Sequence, residues 1–205
     1  MRLLASAILL SLAASAPAQQ VDCPDEAAGP DWRTVATEPD RHRLRDWRTA
    51  FTRALEQART GGHAADLDRE GVLLQPDAAL GGPIPNGDYR CRVIKLGAKS
   101  EGMLNYVAYP AFRCRISQNG SLQHFDKLNG SQRPHGTIYA GDQLRGAFLG
   151  TMVLGDETRA YQYGRDTERD MAGWVERIAD NRWRLVFPYP HYESTLDVVE
   201  LVPEQ

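Results

Sequence analysis

Two patterns of apolar positions divide the chain. From Leu44 to Ala58 apolar residues recur at spacings of three and four (Leu44, Trp47, Phe51, Ala54, Leu55, Ala58), which places them on one stripe of an α-helix. Thr37 is the expected N-cap. Pro39 sits in the first turn, Glu38 and Asp40 favour the positive end of the helix dipole, and Gly61-Gly62 ends the run. A second, shorter helical piece is predicted over 63–79, followed by a breaker-rich linker at 81–87. From Asp88 onward the helical period gives way to short alternating runs of β-branched and aromatic residues bounded by Gly, Asn, Asp and Pro. They predict strands near 88–96, 104–117, 121–128, 136–140, 144–154, 159–164, 170–179, 182–187 and 195–202. Pro110 demands an edge position or a bulge inside the second. Eight or nine antiparallel strands after a helical prelude predict a small barrel or sandwich.

The first residues carry a different signal. Met1-Arg2, the apolar run Leu3 to Ala14 and the small residues Ser15-Ala16-Pro17-Ala18 read in the order of a cleavable secretory leader. The run is too short for a membrane span, and no later stretch is long enough. Cys23 follows Gln20-Val21-Asp22, not the small and aliphatic residues that lipoprotein processing needs. Cleavage near Ala18 removes one Arg and no acid, which moves the formal net charge from −3 to −4. That balance excludes the basic footprint of a nucleic-acid binder, and no polybasic run marks a membrane surface. The expected organisation is a leader (1–18), an N-terminal tail and helical segment (19–86) and a barrel (87–205), the last two forming one folding unit.

Export turns the cysteines into a structural clue. Cys91 and Cys114 lie on the first two predicted strands, and a hairpin closing around Glu101-Gly102 sets them opposite each other, with Val93 facing Phe112 and Tyr89 facing Ile116. In an oxidising compartment the pair is expected to form a disulfide. Cys23 is left as an odd thiol. The other face of the same hairpin carries Arg90 opposite Arg115 and Arg92 opposite Arg113. Like charges across a ladder are unfavourable without compensating acids or a ligand. Either structural ion pairs or an anion site resolves that conflict.

Two more polar clusters are candidates for chemistry. Lys127-Leu128-Asn129-Gly130-Ser131-Gln132-Arg133-Pro134-His135 brings nucleophile, base and cation types together, without a G-x-S-x-G elbow. Tyr163-Gly164-Arg165-Asp166 leads to Arg169-Asp170, where Arg and Asp alternate. The five histidines are scattered, and neither metal-ligand spacing nor a nucleotide-binding loop is present, so no metal or cofactor is implied. The candidate ligand-binding residues are therefore Arg90, Arg92, Arg113, Arg115, Lys127, Ser131, Arg133, His135, Arg165 and Asp166.

At Arg90-Cys91-Arg92-Val93-Ile94-Lys95-Leu96-Gly97, Phe112-Arg113-Cys114-Arg115-Ile116, the run Lys127 to Arg133, Phe148-Leu149-Gly150 with Leu154-Gly155-Asp156-Glu157, and Tyr163-Gly164 with Arg169-Asp170, the chain resembles domain-of-unknown-function family 4893. The resemblance implies a secreted bacterial protein of the periplasm and assigns no activity. The resulting expectation is an α+β, mainly β protein with N-terminal helices packed on a lipocalin-like or streptavidin-like antiparallel β-barrel. It would bind a small ligand or a periplasmic protein. A hydrolase working from the Ser131–His135 loop and a secreted protease inhibitor acting through its N-terminal tail are the alternatives, and the reading leans away from an enzyme.

Overall fold

The structure, a computed structural model, describes residues 29–204. The leader, its cleavage point and Cys23 lie outside the described residues. The helices are α1 (Trp32–Val35), α2 (Glu38–Arg45), α3 (Trp47–Thr60) and α4 (Ala64–Glu70), with a 3-10 turn at Gly71–Leu74. Thr37 caps α2 as expected, its side chain accepting from the Asp40 amide. The single stripe predicted from Leu44 to Ala58 is broken at Asp46, and the two halves serve different surfaces. Leu44 packs with Ala147, Leu149, Ala172 and Trp174, whereas Phe51, Ala54, Leu55 and Ala58 pack with Ile94, Leu96, Val186, Leu196 and Val198. A bend lets one stripe follow a curved wall that a straight helix would leave. The second helical piece is shorter than predicted. It ends where Gly71 takes φ +57°, a conformation that glycine adopts without strain.

The strands are β1 (Gly87–Ala98), β2 (Tyr106–Ala108), β3 (Phe112–Asn119), β4 (Leu122–Lys127), β5 (Gln132–Ala140), β6 (Arg145–Leu154), β7 (Asp170–Ala179), β8 (Arg182–Pro188) and β9 (Ser194–Pro203). All pair antiparallel. β1 joins both β3 and β9, so eight strands close into an up-and-down barrel, and β2 is an extra strand on the upper half of β1. Closure leaves no edge for the predicted strand at 159–164. Residues 155–169 instead form the β6–β7 loop, in which Tyr163 Oη donates to Asp40 Oδ2 at 2.5 Å. The predicted strand 104–117 is also divided. Pro110 lies in the gap between β2 and β3, and from Cys91–Phe112 to Ile94–Ala108 three steps on β1 face four on its partner, which is a bulge.

The first hairpin corrects the expected register by two residues. Cys91 faces Phe112, Tyr89 faces Cys114, Arg90 faces Arg113 and Asp88 faces Arg115. An even displacement leaves every side chain on its own face, so both cysteines still point inward. Their disulfide runs along the diagonal, with Cα atoms 5.8 Å apart.

Inward residues fill most of the barrel. Phe125, Phe148 and Phe187 stack edge to face at 5.9 and 5.4 Å, in one cluster with Tyr89, Trp183 and the disulfide. Gly136 and Gly150 face each other beneath Phe148, where a Cβ on either would lie under 3 Å from its ring. The segment 81–86 crosses the end made of short turns (120–121, 141–144, 180–181). It inserts Ile84 and accepts hydrogen bonds from Trp183 Nε1 at Pro83 O and from Tyr89 Oη at Pro85 O. That end is closed. Among the described residues no helix is long and apolar enough to cross a membrane.

Candidate functional site

The other connections gather at the opposite end: 99–105, 128–131, 155–169 and 189–193, with the bulge at 109–111 beside them on the wall. Here the inward track changes character. Along β1 it runs Tyr89, Cys91, Val93 and then Lys95; along β4 it runs Phe125 and then Lys127; β9 contributes Asp197. A cavity of about 340 Å³ opens above this layer. Val93 and Lys95 form one side, Tyr109 and Phe112 an aromatic wall, and Lys127, Gly130, Ser131, Gln132 and Glu193 complete it.

The two lysines are differently placed. Lys95 Nζ donates to Gln132 Oε1 at 2.9 Å and Glu193 Oε2 at 2.7 Å, and lies 3.7 Å from Asp197 Oδ2. Burial opposes its charge, but Asp197 and Glu193 outweigh burial and hold its pKa above the ordinary lysine value. Asp197, buried and bonded by the Ser194 hydroxyl, is pushed upward by loss of water. Lys127 is 5% exposed and donates to Asn129 O at 2.7 Å and Gln132 O at 2.9 Å, with its ammonium 3.5 Å from the Phe112 ring centroid. Among the described residues no carboxylate lies within ion-pair distance of it. Burial first, then the charges of Arg133 and Lys95, lower its pKa to about 8. A buried, strongly shifted lysine at a cavity wall is a physical marker of a site.

The other residues singled out in the sequence do not join this cavity. Arg90 and Arg113 are exposed on the outer wall and have no ion-pair partner among the described residues. Arg92 faces Glu200, not Arg113; its Nε lies 3.0 Å from Glu200 and its Nη1 2.8 Å from Glu70, and the Glu70 bond leads in raising its pKa further. Arg115 grips Asp88 at 2.6 and 3.0 Å. Acids therefore compensate half of the arginine face. Arg133 ties loops together by donating to Gly130, Gly155 and Glu157 carbonyls. His135 points outward against Asp126, a bond that raises its pKa, and no hydrogen bond connects it to Ser131 among the described residues. Arg165 is exposed, while Asp166 caps the Glu168 amide and lies 3.3 Å from Arg169.

Lys95, Gln132, Glu193, Asp197 and the aromatic pair Tyr109 and Phe112 were missed. A signal for the charged ones existed: continuing the inward alternation past Val93 and Phe125 lands on Lys95 and Lys127, and a charge on a core-facing track needs a reason. Among the described residues no cluster of His, Cys, Asp and Glu is arranged to hold a metal ion.

No curated protein and no solved structure matches the chain. The family model described as "Domain of unknown function (DUF4893)" matches residues 32–201. That match begins with α1, runs through the barrel and ends inside β9, so the chain belongs to this family.

Proposed function

We propose that the protein is an exported, periplasmic binding module whose small ligand seats in the open end of the barrel. One observation carries this reading: buried Lys95 and Lys127 from β1 and β4 and half-buried Gln132 at the start of β5 converge on a cavity of about 340 Å³, within the size range of small-molecule sites. The leader-like first eighteen residues and the Cys91–Cys114 disulfide support export to an oxidising space. A hydrolase built on Ser131 and His135 lacks comparable support, because Ser131 borders the cavity and His135 faces away from it.

Native mass spectrometry of protein taken directly from periplasm tests the reading. The wild type should carry a bound small molecule, and Ser131→Trp, at an exposed rim position, should lose it while melting within about a degree of the wild type. Absence of any adduct, or an adduct retained by Ser131→Trp, overturns it.

A further inference from the structure

The open end carries two features that belong to different parts of one ligand. The first is charge. Lys95 is saturated by Glu193, Asp197 and Gln132, whereas Lys127 presents a buried ammonium satisfied by two carbonyls and a ring face and countered by no acid among the described residues. A buried charge without a counter-ion is costly, and an anion entering the cavity beside it removes that cost. One uncompensated cation calls for one negative charge, and Glu193 at the rim disfavours a more highly charged head.

The second feature is an apolar rim. A second cavity of about 310 Å³ shares Lys95, Tyr109 and Glu193 with the first and extends over Val107, Met103 and Leu104. Leu104 is 68% exposed and Met103 42%, and Leu128 and Tyr192 are also exposed on loops at this end. Contiguous exposed apolar side chains beside a cavity mark a binding surface.

We propose that the ligand is a monomeric amphiphile with a single carboxylate head, the head countering Lys127 and the chain lying over Tyr109, Val107, Met103 and Leu104. This rests on the open end being the ligand site. The carboxylate approaches Lys127 from the side bordered by Ser131, and the chain runs outward past Tyr109, whose ring lies 6.4 Å from that of Phe112. Aromatic side chains at that bend offer the apolar surface that an acyl chain covers.

Calorimetry on the full-length exported protein, stripped of endogenous ligand, tests the proposal with decanoate as probe. Decanol, decyltrimethylammonium and acetate separate head from tail, and phosphatidylglycerol vesicles separate free amphiphile from membrane lipid. Decanoate should bind saturably, at least about tenfold more tightly than each of the others. Lys127→Met should weaken decanoate by at least about tenfold and leave decanol unchanged. Leu104→Asp, on an exposed loop, should weaken it as well, which keeps the test decisive if the lysine variant folds poorly. Equal binding of decanol and decanoate, binding to vesicles alone, or indifference to both variants overturns the proposal. A native adduct lost in Ser131→Trp alongside failed decanoate binding would refute the ligand class and leave the site standing.

Discussion

Replacing Glu176 by Gln should destabilise the protein by about 3 to 5 kcal/mol. Arg184 is completely buried between the barrel wall and the helical layer. Its Nε and Nη2 meet Glu176 at 2.7 and 2.6 Å, its Nη1 donates to the Leu73 and Gln75 carbonyls, and Phe51 lies 5.1 Å from its guanidinium. Burial lowers the pKa of Arg184, and the Glu176 charge opposes that shift. Glu176 also accepts from Arg145 at 2.6 Å. Glutamine keeps the shape of glutamate and removes the charge, so buried Arg184 loses its anion with nowhere to turn for water, while Arg145 keeps Asp142 at 3.5 Å. Denaturant unfolding should show a lower midpoint with an unchanged slope. A loss below 1 kcal/mol would mean that Arg184 is hydrated or repositioned. Replacing Arg184 as well should recover only part of the loss, because the carbonyls of 73–75 then lose their donor.

Removing the disulfide should have the next largest effect. Cys91 and Cys114 are separated by 23 positions, a loop whose closure is worth about 3 kcal/mol in the chain-entropy description. Both residues are fully buried among Tyr89, Ile116 and Phe125, so Cys91→Ala with Cys114→Ala also loses packing around the sulfur atoms. For a chain of this size the melting temperature should fall by roughly 6 to 12 °C. Equal melting of the double variant and the oxidised wild type would show that the bridge is not formed or contributes nothing.

What the sequence disclosed follows from which interactions are local. Alternation located the barrel strands from β4 onward to within four residues, because each buries one face on the same core. The strand predicted at 159–164 rested on Tyr161 and Tyr163 either side of Gln162, but a closed barrel offered no partner; closure is a property of β1 meeting β9, about a hundred residues apart. The hairpin register slipped because Pro110 introduced a bulge whose length the sequence does not state, yet the face assignment survived an even displacement. The stripe from Leu44 to Ala58 gave a helix and concealed the bend at Asp46, since a helix pattern does not report the curvature of its substrate.

The site was legible only in part. Lys127 and Ser131 were named through their neighbours in sequence, and His135 was grouped with them although Pro134, Gly136 and Ile138 share the inward phase and send it outward. Lys95 and Asp197 come from strands β1 and β9, whose pairing brings them together. The burial of Arg184 had no local sign, because the segment that covers it, 71–76, lies more than a hundred residues away in sequence and was read only as part of a helical piece.

The location of the ligand is the central claim, and amide NMR tests it most directly. Spectra of the labelled protein should be compared before and after adding the low-molecular-mass fraction of a periplasmic extract. Shifts confined to residues 93–95, 102–112, 127–132 and 193–197 are the predicted result. Shifts centred on Arg90, Arg113 and Arg115 of the outer wall, with the open end unmoved, would contradict the account.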